Sequence, residues 1–193
     1  MNDIHRGPVR FMQNNMVEVH DSEAAAARLR KFLTFILGDV AYGLDIQNVT
    51  EILGIQPTIV IPDVPPHVRG VINLRGKVIP VMDVRLRFNL KAREDDEKTC
   101  IIVVESGERK VGLIVDMVSD VLDIATEHID PPPNIGDEST KRCISGLGKV
   151  GRDVKVLLNV HQLLAFDDDD QPGTNGHNGA NGTNGHGTAP LDN

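Results

Sequence analysis

Gly43-Leu44-Asp45-Ile46-Gln47-Asn48-Val49-Thr50-Glu51-Ile52-Leu53 returns later in the chain, without a gap, as Gly112-Leu113-Ile114-Val115-Asp116-Met117-Val118-Ser119-Asp120-Val121-Leu122. A second pair keeps the same order: Gly70 through Val81-Met82-Asp83-Val84 is matched by Gly146 through Leu157-Leu158-Asn159-Val160. The interval between copies is far longer than a solenoid repeat, so the ordered repeats point to a duplicated small fold. Two similar compact units side by side make a cleft and two outer faces, which is the anatomy of a connector.

Outward from those copies, each half opens with a hairpin pattern. Lys31-Phe32-Leu33-Thr34-Phe35-Ile36-Leu37, Gly38-Asp39 and Ala41-Tyr42-Gly43-Leu44 read as strand, tight turn, strand. Thr99 to Glu105, Ser106-Gly107 and Lys110 to Val115 repeat it. A short helical turn carrying the shared Val-Thr/Ser-Glu/Asp element is expected after each hairpin. Val68 to Arg75 and Lys77 to Met82 form a further hairpin about Arg75-Gly76, and Pro80, which has no N–H to donate, belongs on an edge or a bulge. Asp83 caps a short helix, and Asn159 caps its copy. Short Val/Ile-rich strands, glycine turns and brief helices describe small β-barrels rather than a βαβ sheet, which needs longer crossover helices.

This organisation divides the chain into a flexible arm over 1–29, an ordered region over 30–166 and an acidic, Gly/Asn-rich tail over 167–193 whose composition predicts disorder. Within the ordered region a first barrel covers about 30–90 and a second about 98–166, joined by a charged linker, and an exchange of strands between them is left open. The chain has 193 residues and a formal charge of −8, which argues against a nucleic-acid or anionic-membrane partner. Its two cysteines, Cys100 and Cys143, form no ligand pair and read as reduced thiols of a cytosolic protein. No stretch approaches the roughly 18 apolar residues of a membrane span, so a soluble protein without membrane insertion is expected.

Catalytic chemistry is sought with little result. Ser145 and Cys143 are the only turn-borne nucleophile candidates, and neither sits in a G-x-S-x-G elbow. Gly146-Leu147-Gly148-Lys149-Val150-Gly151 has the G-x-G-x-x-G spacing but opens no long helix in a βαβ unit. His128 and His161 have no acidic or cysteine partner at ligand spacing, so neither a metal nor another cofactor is expected. Glu51 and Arg75 differ from these. An ion pair between them would fix two segments of one lobe together, and although the second lobe keeps the acid as Asp120, Gly151 stands at the position of Arg75. If duplication alone required the pair, both copies should have kept it. Val49, Ile52 and Leu53, with Val118, Val121 and Leu122, are expected to line the seam between lobes, where an apolar groove could capture a partner helix.

Phe32-Leu33-Thr34-Phe35-Ile36-Leu37-Gly38-Asp39, Tyr42-Gly43-Leu44-Asp45-Ile46, Val49-Thr50-Glu51-Ile52, the run from Val68 to Arg85 and the run from Val115 to Leu122 closely resemble the bacterial chemotaxis coupling family CheW. The resemblance covers residues 30–166. It implies a mainly β fold of two SH3-like five-stranded barrels with short helices, flanking a hydrophobic groove, and no enzymatic activity. It further implies a scaffold that joins transmembrane chemoreceptors to the histidine kinase CheA, located in the cytoplasm and recruited to membrane receptor arrays. The cytoplasmic tip of methyl-accepting chemotaxis receptors would dock on Val49, Glu51, Ile52, Gly70 and Arg75. The regulatory domain of CheA would meet a patch that includes Asp130 and Ile135, where the family often has a basic and an aromatic residue. The alternatives are a coupling protein of a non-flagellar chemosensory pathway and a small β-barrel enzyme using Ser145, Cys143 or the glycine-rich turn.

Overall fold

The structure is a computed structural model, and it describes residues 28–134 and 137–165. The first half contributes strands β1 (Leu29–Leu37), β2 (Val40–Asp45), β3 (Val49–Gly54), β4 (Val68–Leu74) and β5 (Lys77–Asp83), then helix α1 (Val84–Arg87). The second half contributes β6 (Cys100–Ser106), β7 (Arg109–Val115), β8 (Met117–Ala125), the two-residue β9 (Ile129–Asp130), helix α2 (Glu138–Cys143), β10 (Ile144–Val150), β11 (Asp153–Leu158) and helix α3 (Val160–Leu163). The arm up to Ala27, Phe166 and the tail lie outside the described residues. β1 already begins at Leu29, and Thr126 N–H donates to the carbonyl of Arg28 at 2.8 Å.

Neither sheet is built from one half alone. The six-stranded sheet runs β8-β1-β2-β11-β10-β9, and the five-stranded sheet runs β3-β6-β7-β5-β4. Each therefore takes its central hairpin from one half and its flanking strands from the other. Under the repeat the orders coincide, with β8, β1, β2, β11 and β10 replaced in turn by β3, β6, β7, β5 and β4. The parallel seams also coincide: Leu157 pairs with Gly43, and Val81 with Gly112. Each seam holds a glycine with little room for a side chain. A Cβ on Gly43 would lie 2.8 Å from a Leu157 methyl, and one on Gly112 would lie 2.8 Å from an Ile101 methyl. At Gly43 the obstacle is a strand of the other half, whereas at Gly112 it is the hairpin partner β6, with Val81 of the other half at ordinary contact distance.

Three apolar clusters follow from this exchange. Ile72, Ile79, Val81, Ile101, Val103 and Ile114 fill the five-stranded sheet, while Phe32, Ile124 and Leu157 fill the six-stranded one. The largest cluster lies between the sheets and draws on both halves, with Phe35, Leu44, Met82, Leu113, Leu158 and Leu163 among its members. Tyr42 stacks between Phe35 and Phe88 there, each ring pair 5.7 Å apart, and burial pushes its phenol above the usual value. Asp83 accepts from the backbone N–H groups of Arg85 and Leu86, and Asn159 from that of Gln162, as capping of α1 and α3 requires.

The expectations need three corrections. The Val-Thr-Glu and Val-Ser-Asp elements are strands, in β3 and β8, and the only helical turn beside the first is the 3-10 turn Ile46–Asn48 that precedes it. Pro80 is on an interior strand, opposite Val71. It is tolerated because pairing with β7 begins one residue later, at Val81, so up to that point β5 pairs with β4 alone. The seam residues also have three different environments. Val49 and Val118 pack on the inter-sheet core, Leu53 and Leu122 on the separate sheet cores, and Ile52 and Val121 stay 44% and 47% exposed. The outer strands of each sheet are not paired with one another, so neither sheet closes by hydrogen bonding. Among the described residues no helix is long and apolar enough to cross a membrane.

Candidate docking site

β3 and β4 are the two outer strands of the five-stranded sheet, yet Leu53 of β3 and Leu74 of β4 pack on one apolar cluster. The sheet is therefore curled, and its edges approach each other. At the rim, Arg75 Nη2 donates to Glu51 Oε1 at 2.6 Å, tying the β4–β5 turn to β3. The guanidinium side chain is 80% exposed and the carboxylate side chain 26%.

The backbone under Arg75 makes this pair informative. Arg75 and Gly76 have φ of 51° and 84°, the left-handed pair of a tight hairpin turn, and Gly76 N–H donates to Asn73 Oδ1 at 2.9 Å. The other lobe places Gly151, φ 62°, at the position of Arg75. A side chain in that conformation costs about 1–2 kcal/mol, and an exposed ion pair returns about 0–1 kcal/mol. Stability alone therefore does not account for an arginine at this turn. Asp120, the counterpart of Glu51, has a different set of bonds. Its carboxylate accepts from Val121 N–H at 2.7 Å, and its main chain exchanges two bonds with the Thr34 hydroxyl.

The other receptor-site residues play different parts. Val49 is half-buried against the inter-sheet core, whereas Ile52 stands out from the surface of β3. Gly70 is buried and offers no side chain to a partner. Its φ is 129°, and a Cβ there would fall 2.1 Å from the carbonyl oxygen of Ile59. The missing Cβ lets residues 59–60 lie across β4, where Ile59 and Val71 exchange two backbone hydrogen bonds of 2.9 Å. That arrangement displays Ile59, Val60 and Ile61 at 67%, 78% and 39% exposure. The sequence reading missed this trio. The available signal was four consecutive β-branched residues, Thr58 to Ile61, bracketed by Pro57 and Pro62 in a segment otherwise free of strand pattern.

Asp130 lies on β9, and its carboxylate pairs with Lys149 Nζ of β10 at 2.7 Å. Ile135 lies outside the described residues. Cys143 is buried in the inter-sheet core, with its thiol 3.4 Å from the carbonyl oxygen of Ser139, and Ser145 is an exposed residue of β10. The G-x-G-x-x-G run follows β10 into its turn instead of opening a helix. Among the described residues no group of His, Cys, Asp and Glu gathers as a metal site.

Comparison with known proteins places this geometry in a family. A family profile described as the CheW-like domain matches residues 31–167. The chemotaxis protein CheW of Klebsiella aerogenes is 37% identical over 139 residues, covering 72% of this chain and 84% of that protein. The CheW of Bacillus subtilis is 36% identical over 134 residues, covering 69% and 86%. The crystal structure of the scaffolding protein TtCheW from Thermoanaerobacter tengcongensis superposes with a TM-score of 0.67 at 35% identity, covering 72% of this chain and 94% of that one.

Proposed function

This chain belongs to the CheW-like family, and on that premise we propose that its curled five-stranded sheet carries the chemoreceptor contact, with Glu51 and Arg75 at its centre. The family's role in chemotaxis is to couple chemoreceptors to the histidine kinase CheA. The chain is a scaffold of that kind and not an enzyme. Its chemistry is recognition: the protein holds receptor and kinase in one orientation, so that a change in one alters the output of the other.

One observation carries the assignment of the receptor face. The Glu51–Arg75 pair is kept in one copy of a duplicated fold, at a backbone position where the other copy has glycine. Ile52 supplies apolar area beside the pair, and Gly70 holds the Ile59–Ile61 segment in place. An exposed apolar strand beside a fork of guanidinium donors suits an amphipathic helical hairpin, the form of a receptor's cytoplasmic tip. In this reading each curled sheet is an SH3-like barrel and the receptor helices lie in a groove between them. The kinase's regulatory domain meets the patch that includes Asp130 and Ile135. Lys149, paired with Asp130, brings a positive charge to that patch. The protein works in the cytoplasm, at receptor arrays.

Co-sedimentation with receptor-containing membranes tests the assignment. Glu51→Ala and Arg75→Ala should each weaken receptor binding by about tenfold or more while leaving the melting temperature within a few degrees, as expected of a central, exposed contact. Undiminished binding by both variants would remove the receptor role from this patch.

A further inference from the structure

The two ends of the inter-sheet seam are built differently, and the difference centres on Asp116. This residue joins β7 of one sheet to β8 of the other and is only 7% exposed. Its Oδ2 accepts the backbone N–H of Gly38, in the β1–β2 turn, at 2.7 Å. The same oxygen is bound by Arg85 Nη1 from α1, and Arg93 Nη1 of the linker lies 3.5 Å away. Arg85 also donates through Nε to the carbonyl of Lys91 at 2.9 Å. A single carboxylate thus ties together a turn of the six-stranded sheet, the helix that follows β5 of the five-stranded sheet, and the linker between the halves.

At the pseudo-equivalent end of the seam this arrangement is absent. Under the repeat the positions of Asp116, Arg85 and Gly38 are taken by Gln47, His161 and Gly107. Gln47 and His161 are both exposed. Around that end lies an open cleft of about 550 Å³, lined by Ser106, Glu108, Arg109, His161, Leu164 and Ala165. Two single bonds cross there, from Arg109 Nη1 to the Leu164 carbonyl at 3.2 Å and from Asn48 Nδ2 to the Glu105 carbonyl at 3.3 Å, but neither gathers several segments on one buried group. The apolar core adds no direction of its own, because hydrophobic burial is non-directional. Hydrogen bonds from a guanidinium to a buried carboxylate are directional.

We propose that Asp116 is a positioning residue for coupling: with Arg85 and Gly38 it braces one end of the seam and sets the angle between the two sheets, while the opposite end is held only by single bonds to carbonyl oxygens. The proposal rests on the scaffold reading, since an angle matters only if receptor and kinase are held by the same molecule. The brace touches neither partner's patch, so its loss should disturb transmission more than attachment.

The test uses the full chain carrying Asp116→Asn, which keeps the shape and removes the charge. Spin labels at Val78→Cys on β5 and Val154→Cys on β11, both exposed, report the distance between the sheets in a Cys100→Ser background. The expected result is a distance distribution about twice as wide as in the unsubstituted background, with receptor-dependent kinase activation reduced by about tenfold. Binding to receptor membranes alone and to the kinase alone should stay within about twofold. An unchanged width, or binding losses as large as the loss of activation, would overturn the brace. If Asp116→Asn does not fold, Arg85→Lys and Arg93→Ala take its place. Arg85→Lys should broaden the distribution more than Arg93→Ala, and no broadening in either would again overturn it. Failure of the unsubstituted chain to support activation would count against the scaffold reading; normal activation there, with an unaltered Asp116→Asn variant, counts against the brace alone.

Discussion

The β4–β5 turn and the β10–β11 turn occupy the same place in the two sheets and answer to different demands. In the first, Arg75 takes a left-handed backbone that favours glycine, and its side chain reaches across the sheet opening to Glu51. In the second, glycine sits at that position, and the acid opposite binds backbone of its own strand. The second turn shows what the fold alone asks for. The first departs from it at an energetic cost, and such a departure is a physical basis for reading function from a structure. The two seam ends repeat the lesson, one braced by a buried carboxylate and the other crossed only by single bonds to carbonyl oxygens.

The largest effect that would break this comparison is expected at Gly70. Gly70→Ala places a Cβ against the Ile59 carbonyl at a φ that side chains rarely adopt, and should cost at least about 2 kcal/mol. Gly146→Ala, also close to a carbonyl but without the positive φ, should cost less. Urea unfolding midpoints of the two variants decide the order, and equal losses would mean that the Ile59 crossing is not special to the first sheet.

Arg75→Gly makes the first turn like the second. Relief of the left-handed arginine roughly offsets the lost ion pair, so stability should change by less than about 1 kcal/mol. Receptor co-sedimentation should nevertheless fall by about tenfold or more. A parallel fall in stability would show that the arginine serves the fold. The reciprocal change, Gly151→Arg, should lower stability by about 1 kcal/mol in the same unfolding measurement and add no receptor binding. A gain of binding would mean that the second sheet presents an equivalent face.

The smallest expected effect concerns α2, a helix placed before β10 that has no counterpart before β4. Its cap, Asp137, accepts from the Ser139 hydroxyl and from Thr140 N–H, and these bonds, the hydroxyl's first, hold its carboxyl below the usual 3.8. A carboxyl with a lowered folded-state value contributes stability above its unfolded value, and that contribution is lost as pH falls through the folded value. Amide protection in α2, corrected for intrinsic exchange, should therefore fall below about pH 3.8 ahead of that in the strands, and Ser139→Ala should make that fall smaller.

Particular residues show how much was legible. The hairpin from Phe32 to Leu44 and its copy could be read directly, because short apolar runs rich in β-branched and aromatic residues on either side of Gly38-Asp39 and Ser106-Gly107 leave little choice of local structure. The pairing of Glu51 with Arg75 could be guessed from the unequal copies. The expected helical turn on Val49-Thr50-Glu51 was misplaced by a few residues, since the 3-10 turn ends directly before Val49 and an element this short does not show its period. The exposure of Ile59, Val60 and Ile61 was hidden for another reason: apolar residues read as core until the fold leaves them outside.

The sequence by itself determined the duplication, the hairpins, the capped short helices and the family, because these depend on neighbours along the chain and on ordered motifs. Only the tertiary structure decided that the halves exchange hairpins, that Gly43 is bare because a strand from the other half lies on it, and that Asp116 joins the sheets. Those are contacts between residues far apart in sequence. Local pattern carries no record of them, since the same apolar run serves a buried strand whichever half supplies its neighbour.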